Sequence, residues 1–347
     1  MNHTKLLLTT GPGLAPSPHG EVLVVDWEQK RVVDHVRFTH GVHERNEKGV
    51  MGASWNAAEL LAATECELLE FTTDPLRVKS VRSFPFLNDT HFLLHSNHRF
   101  WVCNTGLDCI EELDDEWNFV KTHDLLGCTG RRMRYALRSC RESTRSWYHK
   151  IRGWRKPYAH LMDRPRFRNM RKLLRKNAYR RKGAELRFTF FRPHVVHPNH
   201  LFPVDGDIWV TLANSGEIVG LNSGRILGSG FGKPHDGIVV DDEHYLTDCM
   251  SNCLFVHELH PQGPALRKRK AKTVTNSLSE GFLRGIAVVG DRVFVGLAAR
   301  RGAPKQYERA CVLALDRKTL EPLDEWVVPE QYGKSLFTIL DATKVYG

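Results

Sequence analysis

The sequence of 347 residues predicts an all-β protein, a six-bladed β-propeller that carries a basic, mainly helical insertion between its third and fourth blades. Two observations lead to this class. A hairpin pattern recurs along the chain, and one segment lacks that pattern and is far more basic than the rest. The apolar content of 41% is enough for a large core.

The hairpin pattern consists of a strand, a tight polar turn and a second strand. Dipeptides such as Asp205-Gly206 and Gly290-Asp291 mark the turns, and the Val, Ile, Phe and Trp residues that flank them are typical of antiparallel strands. Four copies are clear: Asn88–Thr105, Pro198–Thr211, Lys233–Thr247 and Phe282–Gly296.

In each copy, a polar marker residue precedes the aromatic residue of the second strand by a near-constant distance. Repeats of this kind are typical of propeller blades, which remove exposed sheet edges by radial repetition. The markers His91, His200, His235 and Arg284 lie 10, 9, 10 and 10 residues before Trp101, Trp209, Tyr245 and Phe294.

Two weaker copies bring the number of blades to six. One covers Met51–Thr64 and continues into Glu67–Phe71, and the other covers Glu21–Val36. The strand at Ser335–Leu340 is expected to close the ring against the first blade. The predicted organisation is blades one to three in 1–128, the insertion in 129–187, and blades four to six with ring closure in 188–347.

Residues 129–187 hold 21 Lys or Arg and three acidic residues, a net of +18, whereas the rest of the chain has 29 basic and 37 acidic residues, a net of −8. Apolar residues spaced three or four apart, such as Met133 and Leu137, predict two amphipathic helices. These helices could pack on the propeller and leave their arginines in water. Alternatively, the segment binds an anionic membrane surface, which Trp147 and Trp154 favour, or nucleic acid, for which no recognised motif is present.

No stretch approaches the ~20 consecutive apolar residues of a membrane-spanning helix, and Leu6–Gly11 is too short for the core of a signal peptide. We therefore expect a cytoplasmic protein that can associate peripherally with a membrane. The eight cysteines include no C-x-x-C pair, which argues against a disulfide framework and against a cysteine-based zinc site.

Residues at the same place in successive blades are expected to meet near the axis, where the innermost strands of a propeller line a central channel. His91, His200 and His235 would converge there as three imidazoles with an open fourth position, which suits a zinc or iron ion. Arg284 is the expected clamp for a carboxylate or phosphate of the substrate. Polar side chains that satisfy one another and ordered water would equally explain the pattern.

Further polar residues flank the markers. Asp89 and Asp236 are candidates for proton transfer or for orienting a ligating histidine. Asn88, His197 and Asn199, together with Arg284, are candidates for binding an anionic small molecule or glycan in the channel.

The sequence leaves open which histidine of the fourth blade faces the channel. Pro198 can shift the register by one strand residue, which reverses the side of the strand on which a side chain lies. His194, His197 and His200 are therefore all candidates for the channel position in this blade.

The segments Asn88–His91, His197–Phe202 with Trp209–Thr211, Lys233–Val239, and Leu283–Val288 with Phe294–Leu297 occur together in this chain. In combination they resemble a group of uncharacterised bacterial six-bladed propeller proteins, which implies a fold and no activity. More distantly, one histidine per blade resembles the propeller lyase that cleaves peptidyl-α-hydroxyglycine with a three-histidine zinc site. NHL-repeat, gluconolactonase-like and strictosidine-synthase-like propellers are similar in architecture. The chain lacks a clear Glu, Asn, Asn, Asp set of the gluconolactonase type, and the basic insertion departs from all these patterns.

Two functional hypotheses follow from the sequence. The first is a metal-dependent hydrolase or lyase in which His91, His200 and His235 hold the ion. The second is a non-catalytic binding scaffold that the 129–187 segment anchors to a polyanion, either an anionic membrane surface or nucleic acid.

Overall fold

A computed structural model of the chain describes residues 3–11, 19–39, 48–125, 194–259, 266–274, 282–298 and 309–347. These residues form six four-stranded antiparallel sheets, which confirms the prediction of an all-β, six-bladed propeller. The basic segment 129–187, expected to be helical, lies outside the described residues. Three short helical elements lie wholly within them: 3-10 turns at Thr105–Leu107 and Glu330–Tyr332, and a helix at Thr343–Tyr346.

The first three sheets come from the two ends of the chain and its first third. The sheet that joins the ends contains β24 (Ser335–Asp341), β1 (Lys5–Gly11), β2 (His19–Asp26) and β3 (Arg31–Thr39). The next two contain β4 (Gly52–Asn56), β5 (Glu59–Ala63), β6 (Leu68–Thr73) and β7 (Leu76–Arg82), and β8 (Thr90–His95), β9 (Phe100–Asn104), β10 (Cys109–Leu113) and β11 (Phe119–Asp124).

The other three sheets follow the basic segment. They contain β12 (Pro198–Val204), β13 (Asp207–Leu212), β14 (Glu217–Gly220) and β15 (Ile226–Ser229); β16 (Pro234–Val240), β17 (Glu243–Asp248), β18 (Cys253–Leu259) and β19 (Leu266–Thr273); and β20 (Phe282–Val289), β21 (Arg292–Ala298), β22 (Cys311–Asp316) and β23 (Pro322–Val327).

Six strands, one from each sheet, form the inner wall of the ring. Each contacts its counterparts in the two neighbouring sheets, so the contacts close into a circle. The closing strand β24 belongs to this set and pairs with β1, with Leu8 opposite Ile339 and Thr9 opposite Thr338. The inner strands in chain order are β4, β8, β12, β16, β20 and β24.

Burial falls from the inner strands to the outer ones, because an inner blade surface is covered by the neighbouring blades on both sides. The second strand β9 is buried at all five residues, whereas the outer strand β3 alternates between exposed and partly buried side chains. The core therefore lies between blades. Trp27 packs edge-on against Phe294 of the preceding blade, with ring centroids 5.0 Å apart.

No helix in the described ranges is long and apolar enough to cross a membrane. Six cysteines fall within these ranges, and all six are buried: Cys66, Cys103, Cys109, Cys249, Cys253 and Cys311.

Candidate functional site

Most inner strands begin with a β-bulge, in which the inner strand has one more residue than its partner. Bulges redirect side chains and are frequent near binding sites. Register shifts of this kind occur in five of the six inner strands. The residues at the five bulges are His91, Asn199 with His200, His235 with Asp236, Gly285, and Phe337.

The strand register shows which polar residues are equivalent. Trp101, Trp209, Tyr245 and Phe294 pair with Leu94, Phe202, Ile238 and Ala287. Three residues before those partners are His91, Asn199, His235 and Arg284, and we call these four residues the inner-strand cluster.

His200 therefore does not share the position of His91 and His235, contrary to the expectation from sequence. Its ring centroid lies 3.9 Å from that of Phe92, and its Nδ1 accepts the N–H of Gly237 at 3.4 Å. Burial lowers the pKa of His200 to about 4. The extra residue of the bulge turns Asn199 toward His91 and sends His200 to the interface between blades.

Three members of the cluster contact one another or an adjacent carboxylate. Nδ1 of His91 lies 2.9 Å from Oδ1 of Asn199, so this nitrogen carries the hydrogen that the amide oxygen accepts. The rings of His91 and His235 have centroids 6.5 Å apart. Nδ1 of His235 lies 3.0 Å from Oδ2 of Asp236. Burial is the main reason that the pKa values of both histidines fall, that of His91 to about 3.

Asp236 is fixed by three donors. The hydroxyl of Thr247 donates to its Oδ2 at 3.1 Å, and the backbone amide of Gly285 donates to the same oxygen at 2.8 Å. Burial alone would raise the pKa of Asp236, but His235, His200 and the Gly285 amide hold it below its usual value. The ionised carboxylate therefore accepts the Nδ1 hydrogen of His235, which leaves the lone pair on Nε2.

Several buried polar atoms of the cluster make no hydrogen bond within the part of the chain that the structure describes. They are Nε2 of His91, Nε2 of His235 and Nε of Arg284. The His235 nitrogen is an acceptor and the guanidinium nitrogen is a donor, whereas Nε2 of His91 lies 3.6 Å from the Asp89 carboxylate. Buried polar atoms normally have partners, so this set is typical of a site for a polar ligand.

A second polar group adjoins the cluster through His91 and is centred on Asp89. Its carboxylate is paired with the Lys48 ammonium, lies 2.8 Å from Nε2 of His194 and lies 3.6 Å from Nε2 of His91. Although burial would raise the pKa of Asp89, Lys48, His194 and His91 hold it well below its usual range. The ring of His197 lies between those of His91 and His194, with centroids 5.0 and 4.8 Å away.

Asp108 positions this second group. Its carboxylate accepts the backbone N–H groups of Val195, Val196 and His197 at 2.9 to 3.0 Å. Its own carbonyl accepts the N–H of Leu125 at 3.3 Å. The described residues on the two sides of the basic segment, Leu125 and Val195, thus both bond to Asp108.

Asn88 has a structural environment. Its backbone N–H donates to Oδ1 of Asn104 at 2.9 Å, and its backbone carbonyl accepts the N–H of Gly106 at 2.9 Å. The residue is fully buried. The expectation that Asn88 binds substrate stays a prediction from the sequence.

The three-histidine metal set is not assembled in the described part of the chain. Within that part, three ligand atoms lie within 4.8 Å of one another only at His3, Asp26 and Glu28. Lys5 and Arg292 already pair with those two carboxylates at 2.6 and 2.9 Å. His200 faces Phe92, so His91, His200 and His235 do not converge in the described residues, and a zinc or iron ion stays a prediction from the sequence.

No protein-family model matches the sequence, and no curated protein matches it. Solved structures of the same general fold do match. A chain of a nidogen/laminin complex is 13% identical, with a TM-score of 0.54 and 97% of each chain covered. The Swd1 (Cps50) propeller domain of Myceliophteria thermophila is 9% identical, with a TM-score of 0.47, and 94% of this chain and 89% of that one are covered.

A virginiamycin B lyase from Staphylococcus aureus, in a catalytically inactive form with quinupristin, is 10% identical, with a TM-score of 0.44. The match covers 81% of this chain and 74% of that one. At these identities the comparisons show the propeller fold alone.

Some site residues were absent from the sequence hypotheses, yet the sequence held a signal for one group of them. Thr211 and Thr247 both lie two residues after the aromatic of the second strand and both bond the bulge: Thr211 accepts from His200 N–H at 3.1 Å, and Thr247 accepts from Asp236 N–H at 3.0 Å. The sequence shows no comparable repeated pattern at Lys48 or Phe337.

Proposed function

We propose that the inner-strand cluster binds a small anionic molecule and that His235 acts there as a general base. It would remove a C–H proton of the ligand as the group on the neighbouring carbon departs, in a lyase reaction, or a proton of the attacking water, in a hydrolase reaction. The observation that carries the proposal is the His235–Asp236 pair, 3.0 Å apart, with Nε2 of His235 buried and without a hydrogen-bond partner among the described residues. A histidine oriented by an ionised carboxylate on one nitrogen can act as a base through the other.

The charges around His235 suit this role. Burial and the Arg284 guanidinium lower the pKa of His235, so its imidazole is neutral near pH 7 and can accept a proton. Asp236 would then stabilise the imidazolium that forms. Arg284 offers its guanidinium to a carboxylate or phosphate, which brings the ligand next to the base.

A divalent metal is not part of this proposal, because His200 does not converge with His91 and His235. Elemental analysis of protein without a histidine tag tests that reading, with the His200→Gln variant beside it. Near-stoichiometric zinc or iron that disappears in the variant would restore the three-histidine site.

The main experiment is a titration of a defined panel of small carboxylates, sugar acids and sugar phosphates by calorimetry. Each compound that binds is then followed by ¹H NMR in D₂O for loss of C–H signal. Arg284→Gln should weaken binding about ten-fold or more, as expected when a charged hydrogen bond is lost. His235→Gln should keep binding but slow exchange about 100-fold.

Arg292→Gln is the matched control, because Arg292 is paired with Glu28 and lies outside the cluster. Equal effects of Arg284→Gln and Arg292→Gln on binding would contradict the proposed anion site.

The charge asymmetry of the chain favours a second candidate function, attachment to a polyanion. Residues 129–187 carry +18 against −8 elsewhere, and the described residues on both sides of the segment bond to Asp108. In this candidate function the segment binds an anionic membrane surface or nucleic acid, and the protein is cytoplasmic and peripheral.

A deletion of 129–187 with a short Gly-Ser linker can test this candidate. The linker can be short because the described residues on the two sides of the segment both bond to Asp108. Binding of the full chain to vesicles with anionic lipid, and to single-stranded RNA, should fall steeply with salt. Binding that survives the deletion would contradict this candidate.

A further inference from the structure

We infer that Phe337, on the closing strand β24, is the positioning residue of Arg284: its ring holds the guanidinium so that the buried Nε faces the ligand. The inference rests on the proposed anion site and adds a residue to it. Cζ of Arg284 lies 5.5 Å from the ring centroid of Phe337, within the range of a cation–π contact.

The backbone places Phe337 with the other site residues. Thr9 pairs with Thr338 and Thr10 pairs with Leu336, so Phe337 is the unpaired residue of a bulge in β24. Bulges at the equivalent position, near the start of β8, β12, β16 and β20, contain or adjoin the four members of the inner-strand cluster. Phe337 therefore adds an apolar ring to a circle of otherwise polar side chains.

Two glycines, one on β20 and one on β21, let β24 approach these strands closely enough for this contact. A methyl group at Gly285 would lie 2.9 Å from Cγ1 of Ile339, and one at Gly296 would lie 2.2 Å from Cδ2 of Leu336. Gly285 also has a φ of +70°, a region that favours glycine. The residue that follows Arg284 thus has no side chain, and the closing strand occupies that space.

The electrostatics explain why an aromatic ring suits this position. Arg284 forms no ion pair with any acidic residue in the described ranges, so its charge stays available for an anion. A carboxylate in place of the ring would neutralise that charge. A ring face fixes the direction of the guanidinium and leaves its net charge unchanged.

The test uses the full chain labelled with ¹⁵N-arginine. The Nε–H resonance of Arg284 is assigned by its loss in Arg284→Gln, and inorganic phosphate is the probe for anion binding. In Phe337→Leu the resonance should lose its ring-current shift, and phosphate affinity should fall about five-fold, equivalent to a contact of ~1 kcal/mol. Phe337→Tyr should retain both properties.

Phe86→Leu is the control, because Phe86 is equally buried but stacks on Phe84 in another blade. It should lower stability without moving the Arg284 resonance. Phe337→Met also removes the ring and replaces the leucine variant if that one does not fold.

An Arg284 resonance that is unchanged in both ring-deleted variants would overturn the positioning role while leaving the anion site intact. Phosphate affinity that is unchanged in Arg284→Gln would instead overturn the proposed function. The resonance decides the inference even where phosphate binds too weakly to titrate.

Discussion

Asp236 and Gly285 belong to adjacent blades and are joined by a hydrogen bond of 2.8 Å from the glycine amide to Oδ2 of the carboxylate. The same oxygen lies 3.0 Å from Nδ1 of His235. One carboxylate therefore orients the candidate base and also fixes the backbone beside Arg284. The geometry of the site depends on the contact between two blades, and not on either blade alone.

Asp236→Asn should separate proton transfer from binding. The amide oxygen can still accept from Gly285, but no negative charge remains to stabilise an imidazolium at His235. We expect proton exchange on a bound ligand to fall about 100-fold or more while affinity changes little. NMR exchange and calorimetry on the same ligand measure the two effects. Equal loss of both would show that Asp236 serves only to hold the ligand site together.

Gly285→Ala should destabilise the fold. The φ of +70° disfavours any side chain, and the added methyl group would meet Ile339 at 2.9 Å. We expect the free energy of unfolding to fall by about 2 kcal/mol or more, measured by chemical denaturation. Gly290→Ala is the control, because Gly290 has a φ of +59° but no atom within 4 Å of the added methyl group. A loss as large in the control would assign the cost to φ alone.

His244→Phe should stabilise the protein and reduce its acid sensitivity. His244 is fully buried, its ring stacks on Phe202 with centroids 4.9 Å apart, and neither nitrogen has a hydrogen-bond partner in the described chain. Burial holds its pKa well below the usual 6.5. Phenylalanine keeps the packing and removes the two unsatisfied nitrogens.

The sign of the pH effect follows from that lowered pKa. Below about pH 6.5 the unfolded chain binds a proton at this histidine and the folded chain does not. The free energy of unfolding therefore has its full value above pH 6.5 and decreases as the pH falls below it. His200, with a pKa of about 4, acts in the same direction between 6.5 and 4. In His244→Phe the slope of unfolding free energy against pH should decrease by up to about 1.4 kcal/mol per pH unit. An unchanged slope would show that His244 is protonated in the folded state.

Lys48→Met should remove the ammonium that pairs with the buried carboxylate of Asp89. Loss of one partner from a buried ion pair costs about 3 kcal/mol. The loss should be smaller near pH 4, where Asp89 can take up a proton. Denaturation at pH 7 and pH 4 measures both values.

Lys79→Met is the control, because its ion pair with Glu59 is exposed and should contribute less than about 1 kcal/mol. The double variant Lys48→Met with Asp89→Asn should recover part of the lost stability. A failure to recover would mean that Lys48 acts through packing and not through its charge.

The blades could be predicted from sequence because each is a local object. Alternating strands and polar turns lie within about 15 residues of one another, and their pattern does not depend on the rest of the chain. The marker offsets even contained the correct register. Ten residues before Trp209 is Asn199, whereas the offset of nine to His200 was the exception among the four copies.

The partners of the site residues could not be predicted in the same way. His91 and Asn199 are 108 residues apart, and the basic segment lies between them. A bulge of one residue decides whether Asn199 or His200 faces His91, and Thr211 on the paired strand holds this bulge by accepting the His200 N–H.

The sequence by itself determined the repeat, the strand and turn pattern of the blades, and the separation of a basic segment from an acidic remainder. Local periodicity and composition are enough to predict all three properties. The tertiary structure alone decided that Asp236 serves His235 and Gly285 together, that Lys48 neutralises Asp89, and that Phe337 lies against Arg284. Apart from the bond between the consecutive residues His235 and Asp236, these contacts join different blades, and the packing of blades in the closed ring brings their side chains together.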